Sequence, residues 1–112
     1  FLCAASASDV EHVLLVVVDD LGHSDLGFTG SEIRTPHIDA LAADGVVLEN
    51  FYVQRACSPT RAALLTGRYP LRYGFQSGVL EPRKAYGLPL NETLVPQLLR
   101  SAGWATHAIG KW

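Results

Sequence analysis

The sequence predicts an α/β domain: a mixed, largely parallel sheet flanked by helices. Three observations predict it. Glu11 to Val18 is nearly continuous in apolar, β-rich residues, as a strand covered on both faces requires. After Thr35-Pro36 the apolar residues Ile38, Leu41 and Ala42 recur at helical spacing up to Gly45. The alternation then repeats, through a second strand at Val46 to Val53 and a third at Trp104 to Ile109.

Each element has a local cause. The first strand ends abruptly in Asp19-Asp20-Leu21-Gly22. Thr35-Pro36 opens a helix, because proline suits the first helical turn, where its missing N–H costs nothing. A loop then delivers Cys57-Ser58-Pro59-Thr60-Arg61 and the run Ala62 to Arg68. Here Ser58 is expected to cap, Pro59 to take the first helical position and Gly67 to provide the left-handed stop. Tyr69 to Leu90 holds three prolines and three glycines and reads as irregular. Leu94, Leu98 and Leu99 share one face of a further helix that Gly103 closes, with Pro96 confined to its first turn. Three strands with so few helices leave sheet edges open, so 8–112 reads as the N-terminal portion of a larger domain.

Bulk properties narrow the function. The chain has 112 residues, 48% hydrophobic and 18% charged, with a net charge of −2. Without a basic stripe, nucleic acid is not an expected partner. The longest apolar run, Val13 to Val18, is too short to span a bilayer. Phe1 to Ala7 reads as the remnant of a signal peptide, with Ala5-Ser6-Ala7 as a small-x-small cleavage site. Its removal takes Cys3 with it and leaves Cys57 as the single cysteine, which calls for a purpose. Asn91-Glu92-Thr93 is an N-glycosylation acceptor triplet. Together they point to the secretory pathway, and to a secreted or lysosomal protein.

Few residues could carry chemistry. Asp19 and Asp20 follow a strand end, where ligands gather in α/β sheets, and two adjacent carboxylates invite a hard cation such as Ca²⁺ or Mg²⁺. The same dipeptide also suits a solvated turn. Cys57 at a helix mouth, with Arg61 one turn on, favours anionic chemistry. A buried apolar cysteine, a free thiol and half of a disulfide are its other readings. Arg61 and Lys111 could equally be surface charges. His12, His37 and His107 lie within or beside structural elements, and neither they nor His23 is assigned a role.

Cys57-Ser58-Pro59-Thr60-Arg61 with Leu64-Leu65-Thr66-Gly67-Arg68 resembles the signature of the sulfatase family, Cys-x-Pro-Ser/Thr/Ala-Arg followed by Thr-Gly-Arg. Strand-Asp19-Asp20-Leu21-Gly22 is similar to the usual sulfatase opening. Gly103 to Trp112 resembles the second sulfatase signature, with Trp104 where the family usually has tyrosine. Thr35 to Ala42 resembles a sulfatase helix, and the likeness runs from Val13 to Trp112. Arg55-Ala56, by contrast, departs from the small or apolar residues usual before the cysteine. Leu88-Pro89-Leu90 and Pro96 to Leu99 are similar to the arylsulfatase B-like branch, which acts on N-acetylgalactosamine 4-sulfate groups.

The resemblance implies the alkaline-phosphatase-like sulfatase fold and a set of roles. Cys57 becomes formylglycine, whose hydrate attacks the sulfate sulfur with one oxygen and expels sulfate through the other. Asp19, Asp20 and the modified Cys57 bind the metal, Ca²⁺ with Mg²⁺ as the alternative. Arg61 holds the formylglycine hydrate, and Lys111 binds the sulfate group. The partners implied are a sulfated small molecule or glycosaminoglycan as substrate, and the formylglycine-generating enzyme during maturation. The family completes its metal and sulfate sites further downstream, so these 112 residues alone are expected to be inactive. Two rival functions stand beside sulfate-ester hydrolysis. One is phosphonate or phosphodiester hydrolysis within the same superfamily; the other is non-catalytic binding of sulfated glycans.

Overall fold

The computed structural model describes residues 12–111. The sequence at 1–11, which holds the expected signal-peptide remnant, Cys3 and the first residue of the expected first strand, lies outside the described residues. The chain divides into two compact units, 1–47 and 48–112.

The described part of the first unit contains two 3-10 turns, His23–Asp25 and Gly27–Thr29, followed by helix α1, Pro36–Asp44. As expected, α1 begins at Pro36 and stops before Gly45. Its apolar stripe is not covered: Ile38 is 41% exposed and Leu41 73%. What fastens α1 to the turn before it is polar. Thr35 Oγ1 donates to Asp39 Oδ1 (2.7 Å) and accepts the Gly27 N–H (2.8 Å). Phe28 N–H donates to the same Asp39 Oδ1 (3.1 Å). A Cβ at Gly27 would collide with the Asp39 carboxylate, so the close approach of backbone to acid requires glycine there.

In the second unit, helix α2, Cys57–Thr66, packs against a 3-10 turn, Pro70–Tyr73, and against helix α3, Val95–Ser101. Gly67 adopts φ +65° and gives its N–H to the Ala63 carbonyl, the left-handed stop expected from sequence. Pro96 sits in the first turn of α3. Beyond that helix, Gly103 N–H bonds to Arg100 O (3.0 Å) and Trp104 N–H to Leu99 O (3.0 Å), the paired bonds of a Schellman close. The buried side chains of this unit are Pro59 and Ala62 from α2, Pro70, and Phe75. Phe75 meets Tyr73 at 6.3 Å between ring centroids and Tyr86 edge-on at 6.2 Å.

Three expectations need correction. No β-strand forms among the described residues, so the strands expected at 11–18, 46–53 and 104–109 are not seen there as such. A strand exists through its ladder partners, and no described segment supplies them. Val13 to Val18 accordingly stays between 42% and 88% exposed. The second correction concerns the cap of α2. Ala56, not Ser58, is the N-cap, and the helix begins at Cys57. Ser58 Oγ instead accepts the Leu80 N–H at 2.8 Å, which brings the irregular segment back onto α2. Pro59 therefore stands third in the helix, not first; it is tolerated because the first four N–H groups of a helix lack intrahelical partners anyway. Third, the irregular stretch from 69 to 90 includes the short 3-10 turn over Pro70–Tyr73.

Candidate active site

Cys57 is the first residue of α2, a helix of ten residues. It is half-buried and its thiol is free, so the disulfide reading does not hold in this structure. The turn around it is well held. Thr60 Oγ1 donates to Ala56 O (2.7 Å) and Gln54 O (2.9 Å), which ties the loop before Cys57 to the helix after it. Pro59 is fully buried and Ala62 is 4% exposed, so the face of α2 behind the cysteine is anchored.

Arg61 is half-buried, and its Nη1 donates to the backbone carbonyl of Lys111 at 2.7 Å. Lys111 itself is exposed. This bond joins residues fifty positions apart and brings the two signature segments together. The far end of α2 is locked separately. Arg68 Nη1 donates to both carboxylate oxygens of Glu92, at 2.8 and 2.6 Å, and its guanidinium lies 5.9 Å from the centre of the Tyr73 ring. Tyr73 Oη in turn lies 3.1 Å from Thr66 Oγ1, the last residue of the helix. Asn91, beside Glu92, is exposed in a turn.

In the first unit, Asp19 and Asp20 form an exposed turn, and Asp20 adopts φ +56°, the left-handed region that aspartate tolerates better than most side chains. The following backbone is closed by Asp25, whose Oδ2 accepts the Gly22 N–H at 2.7 Å, and by Thr29 Oγ1 donating to His23 O at 2.7 Å. No group of three or more His, Cys, Asp or Glu side chains able to hold a metal occurs among the described residues. The aspartate pair fits a hard divalent cation in chemistry, since both donors are carboxylate oxygens. It fits only in part: such ions take roughly six to eight oxygens, and two residues cannot supply them. His12, His23, His37 and His107 are all exposed.

Thus the structure brings Cys57, Arg61 and Lys111 into one unit, with a direct bond between the last two, and places the aspartates in the other. Sequence reasoning missed the Arg68–Glu92 pair. In sequence Glu92 is only the middle of a modification triplet, whereas in the structure its side chain is 7% exposed and anchors the helix end.

Known proteins agree with these motifs. The family profile described as Sulfatase matches residues 11–112. Arylsulfatase J of Mus musculus is 45% identical over 101 residues, covering 90% of this chain and 17% of the relative. N-acetylgalactosamine-6-sulfatase of Homo sapiens is 43% identical over 118 residues, covering 97% of this chain and 23% of the relative. Arylsulfatase A of Bos taurus is 46% identical over 109 residues, covering 96% of this chain and 22% of the relative. The chain therefore spans about a fifth of the length of the curated relatives it matches. No solved structure matches it significantly. A profile match over nearly the whole chain, on the segments that carry Cys57, Arg61 and Lys111, leads to one conclusion: the chain belongs to the sulfatase family.

Proposed function

We propose that these residues are the N-terminal portion of the catalytic domain of a sulfuric ester hydrolase, an arylsulfatase-type enzyme of the secretory pathway. The observation that carries the reading is the bond between Arg61 and Lys111, which joins the helix of the first signature to the segment of the second. An arginine and a lysine held within the same unit as Cys57 suit a tetrahedral oxyanion such as the singly charged head of a sulfate ester.

In this reading Cys57 is oxidised to formylglycine by the formylglycine-generating enzyme during maturation. That side chain would supply a hydrated aldehyde: one oxygen would bond to sulfur as the S–O bond to the departing alcohol breaks, and deprotonation of the second would reform the aldehyde C=O as the C–O bond to sulfate breaks. Asp19, Asp20 and an oxygen at position 57 would hold one divalent cation, Ca²⁺ or Mg²⁺, and such an ion would supply charge withdrawal from the sulfate. A thiol would be a poor donor to such an ion, and conversion to oxygen removes the mismatch. Arg61 holds the nucleophile in place through its guanidinium fork, and Lys111 contributes a point charge to the sulfate oxygens. Asn91, exposed in its turn, is a glycosylation site. Residues 1–7 belong to a signal peptide, and the mature protein is secreted or lysosomal.

The substrate is a sulfated small molecule or glycosaminoglycan. Relatives named for arylsulfates, for N-acetylgalactosamine 6-sulfate and for steryl sulfate share 42–46% identity with the chain, so identity favours no single ester. Incubation of the full-length parent with an aryl sulfate, an aryl phosphonate and an aryl phosphodiester tests the reading. Release of sulfate at a rate well above phosphonate or phosphodiester cleavage supports it. Preference for a phosphorus ester, or binding of sulfated glycans without turnover, overturns it. The 112-residue piece alone is expected to be inactive, since its two carboxylates fall short of a full metal shell.

A further inference from the structure

Arg61 touches the Lys111 backbone, and that contact carries a task beyond holding the nucleophile. Lys111 follows Gly110, whose φ of +107° is a conformation that side-chain-bearing residues rarely adopt. Such a permissive joint does not by itself fix where the next residue lies. One bond that helps to fix it comes from α2: Arg61 Nη1 reaches the carbonyl of Lys111 itself at 2.7 Å. The donor is well anchored, because Arg61 is half-buried and Ala62 beside it is 4% exposed. A guanidinium has five N–H donors in a rigid fork, so committing one to a carbonyl leaves others for a second acceptor. An ammonium on a flexible stem cannot bridge two fixed acceptors in the same way.

We propose that Arg61 is a positioning residue for Lys111: it holds the backbone from which the lysine extends, so that the ammonium meets the anionic substrate at a fixed place. This rests on the sulfatase reading above, and it makes Arg61 act on substrate binding through another residue.

The test is a double-mutant cycle on the full-length protein, read as the dissociation constant for inorganic sulfate by calorimetry. All variants carry Cys57→Ser, which removes any dependence on maturation. Arg61→Lys and Lys111→Ala are each expected to weaken sulfate binding about tenfold, the scale of one hydrogen bond to a charged group. Lys111→Ala keeps the carbonyl but leaves no side chain to position. Arg61→Lys should therefore cost less than about threefold in that background. Equal losses in both backgrounds overturn the proposal, because Arg61 would then act on sulfate independently or through general stability. Absence of sulfate binding by the unsubstituted arginine and lysine protein overturns both this proposal and the sulfatase reading. Gly110→Ala covers the case in which Arg61→Lys fails to fold, since it disturbs the joint and leaves Arg61 intact. It should weaken sulfate binding about as much as Arg61→Lys does and add little to Lys111→Ala. Unchanged sulfate affinity in Gly110→Ala overturns the proposal.

Discussion

Arg61 Nη1 donates a 2.7 Å hydrogen bond to the backbone carbonyl of Lys111, fifty residues later in the chain. Each residue alone reads as a surface charge. The bond makes them parts of one local structure, with Cys57 at the start of the helix that carries Arg61.

The aspartate pair gives the first prediction. Asp20→Asn in the full-length protein keeps a side chain suited to φ +56° while removing the carboxylate charge. It is expected to lower activity at least about a hundredfold, the scale of a lost catalytic metal ligand or its support, and to lower thermal stability only by what the lost metal contributed. Asp19→Asn should behave likewise. Metal content by elemental analysis, beside a thermal melt, separates a ligand from a turn residue. Full metal occupancy in both variants would remove the aspartates from the site.

A second prediction concerns the far end of α2. The Glu92 carboxylate is 7% exposed and the Arg68 side chain 52%, so the two partners are unequal. Arg68→Ala strands a nearly buried carboxylate and is expected to destabilise by about 2 kcal/mol. Glu92→Gln leaves a half-exposed guanidinium that water can reach, and should cost about 1 kcal/mol or less. Chemical denaturation of the full-length variants checks the order; a larger loss for Glu92→Gln would contradict it.

Thr35 provides the third. Its hydroxyl donates to Asp39 and accepts from Gly27 N–H, so Thr35→Val removes both bonds at nearly constant volume. Loss of about 1–2 kcal/mol is expected, with hydrogen exchange at the Gly27 amide accelerating more than exchange elsewhere. Unchanged protection of that amide would show that the hydroxyl does not hold the turn.

Asn91 provides the fourth. Asn91→Gln should remove one glycan from the protein secreted by a mammalian host, seen as a single mass step that matches enzymatic deglycosylation. Because Glu92 and its bond to Arg68 remain, stability of the deglycosylated forms should be equal. No mass difference between variant and unsubstituted protein would remove the site.

Helices were legible where their signals are local. Thr35-Pro36 and Gly45 bound α1, Gly67 stops α2, and Pro96 and Gly103 frame α3. The sulfatase family implies an alkaline-phosphatase-like fold. Its sheet is not seen in the described residues, because periodicity marks a strand's faces and cannot provide the neighbours that complete its ladder. The cap of α2 differs from the sequence expectation for a related reason. Ser58 has the right chemistry for a cap, but a backbone amide 22 residues away, at Leu80, takes its hydroxyl. Of the candidate site, residue identity was readable and pairing was not. Cys57, Arg61 and Lys111 stood out by motif, whereas the bond across fifty residues and the Arg68–Glu92 anchor depend on tertiary approach.

The central claim is that Cys57 is the precursor of the nucleophile, and one mass measurement reaches it most directly. The full-length protein, made in a host that contains the modifying enzyme, is digested with trypsin and the peptide Ala56–Arg61 is weighed. The account predicts a peptide whose cysteine sulfur has been replaced by an aldehyde oxygen and which reacts with a hydrazide. An intact thiol under those conditions would contradict it and leave a sulfatase relative that binds sulfated glycans without cleaving them.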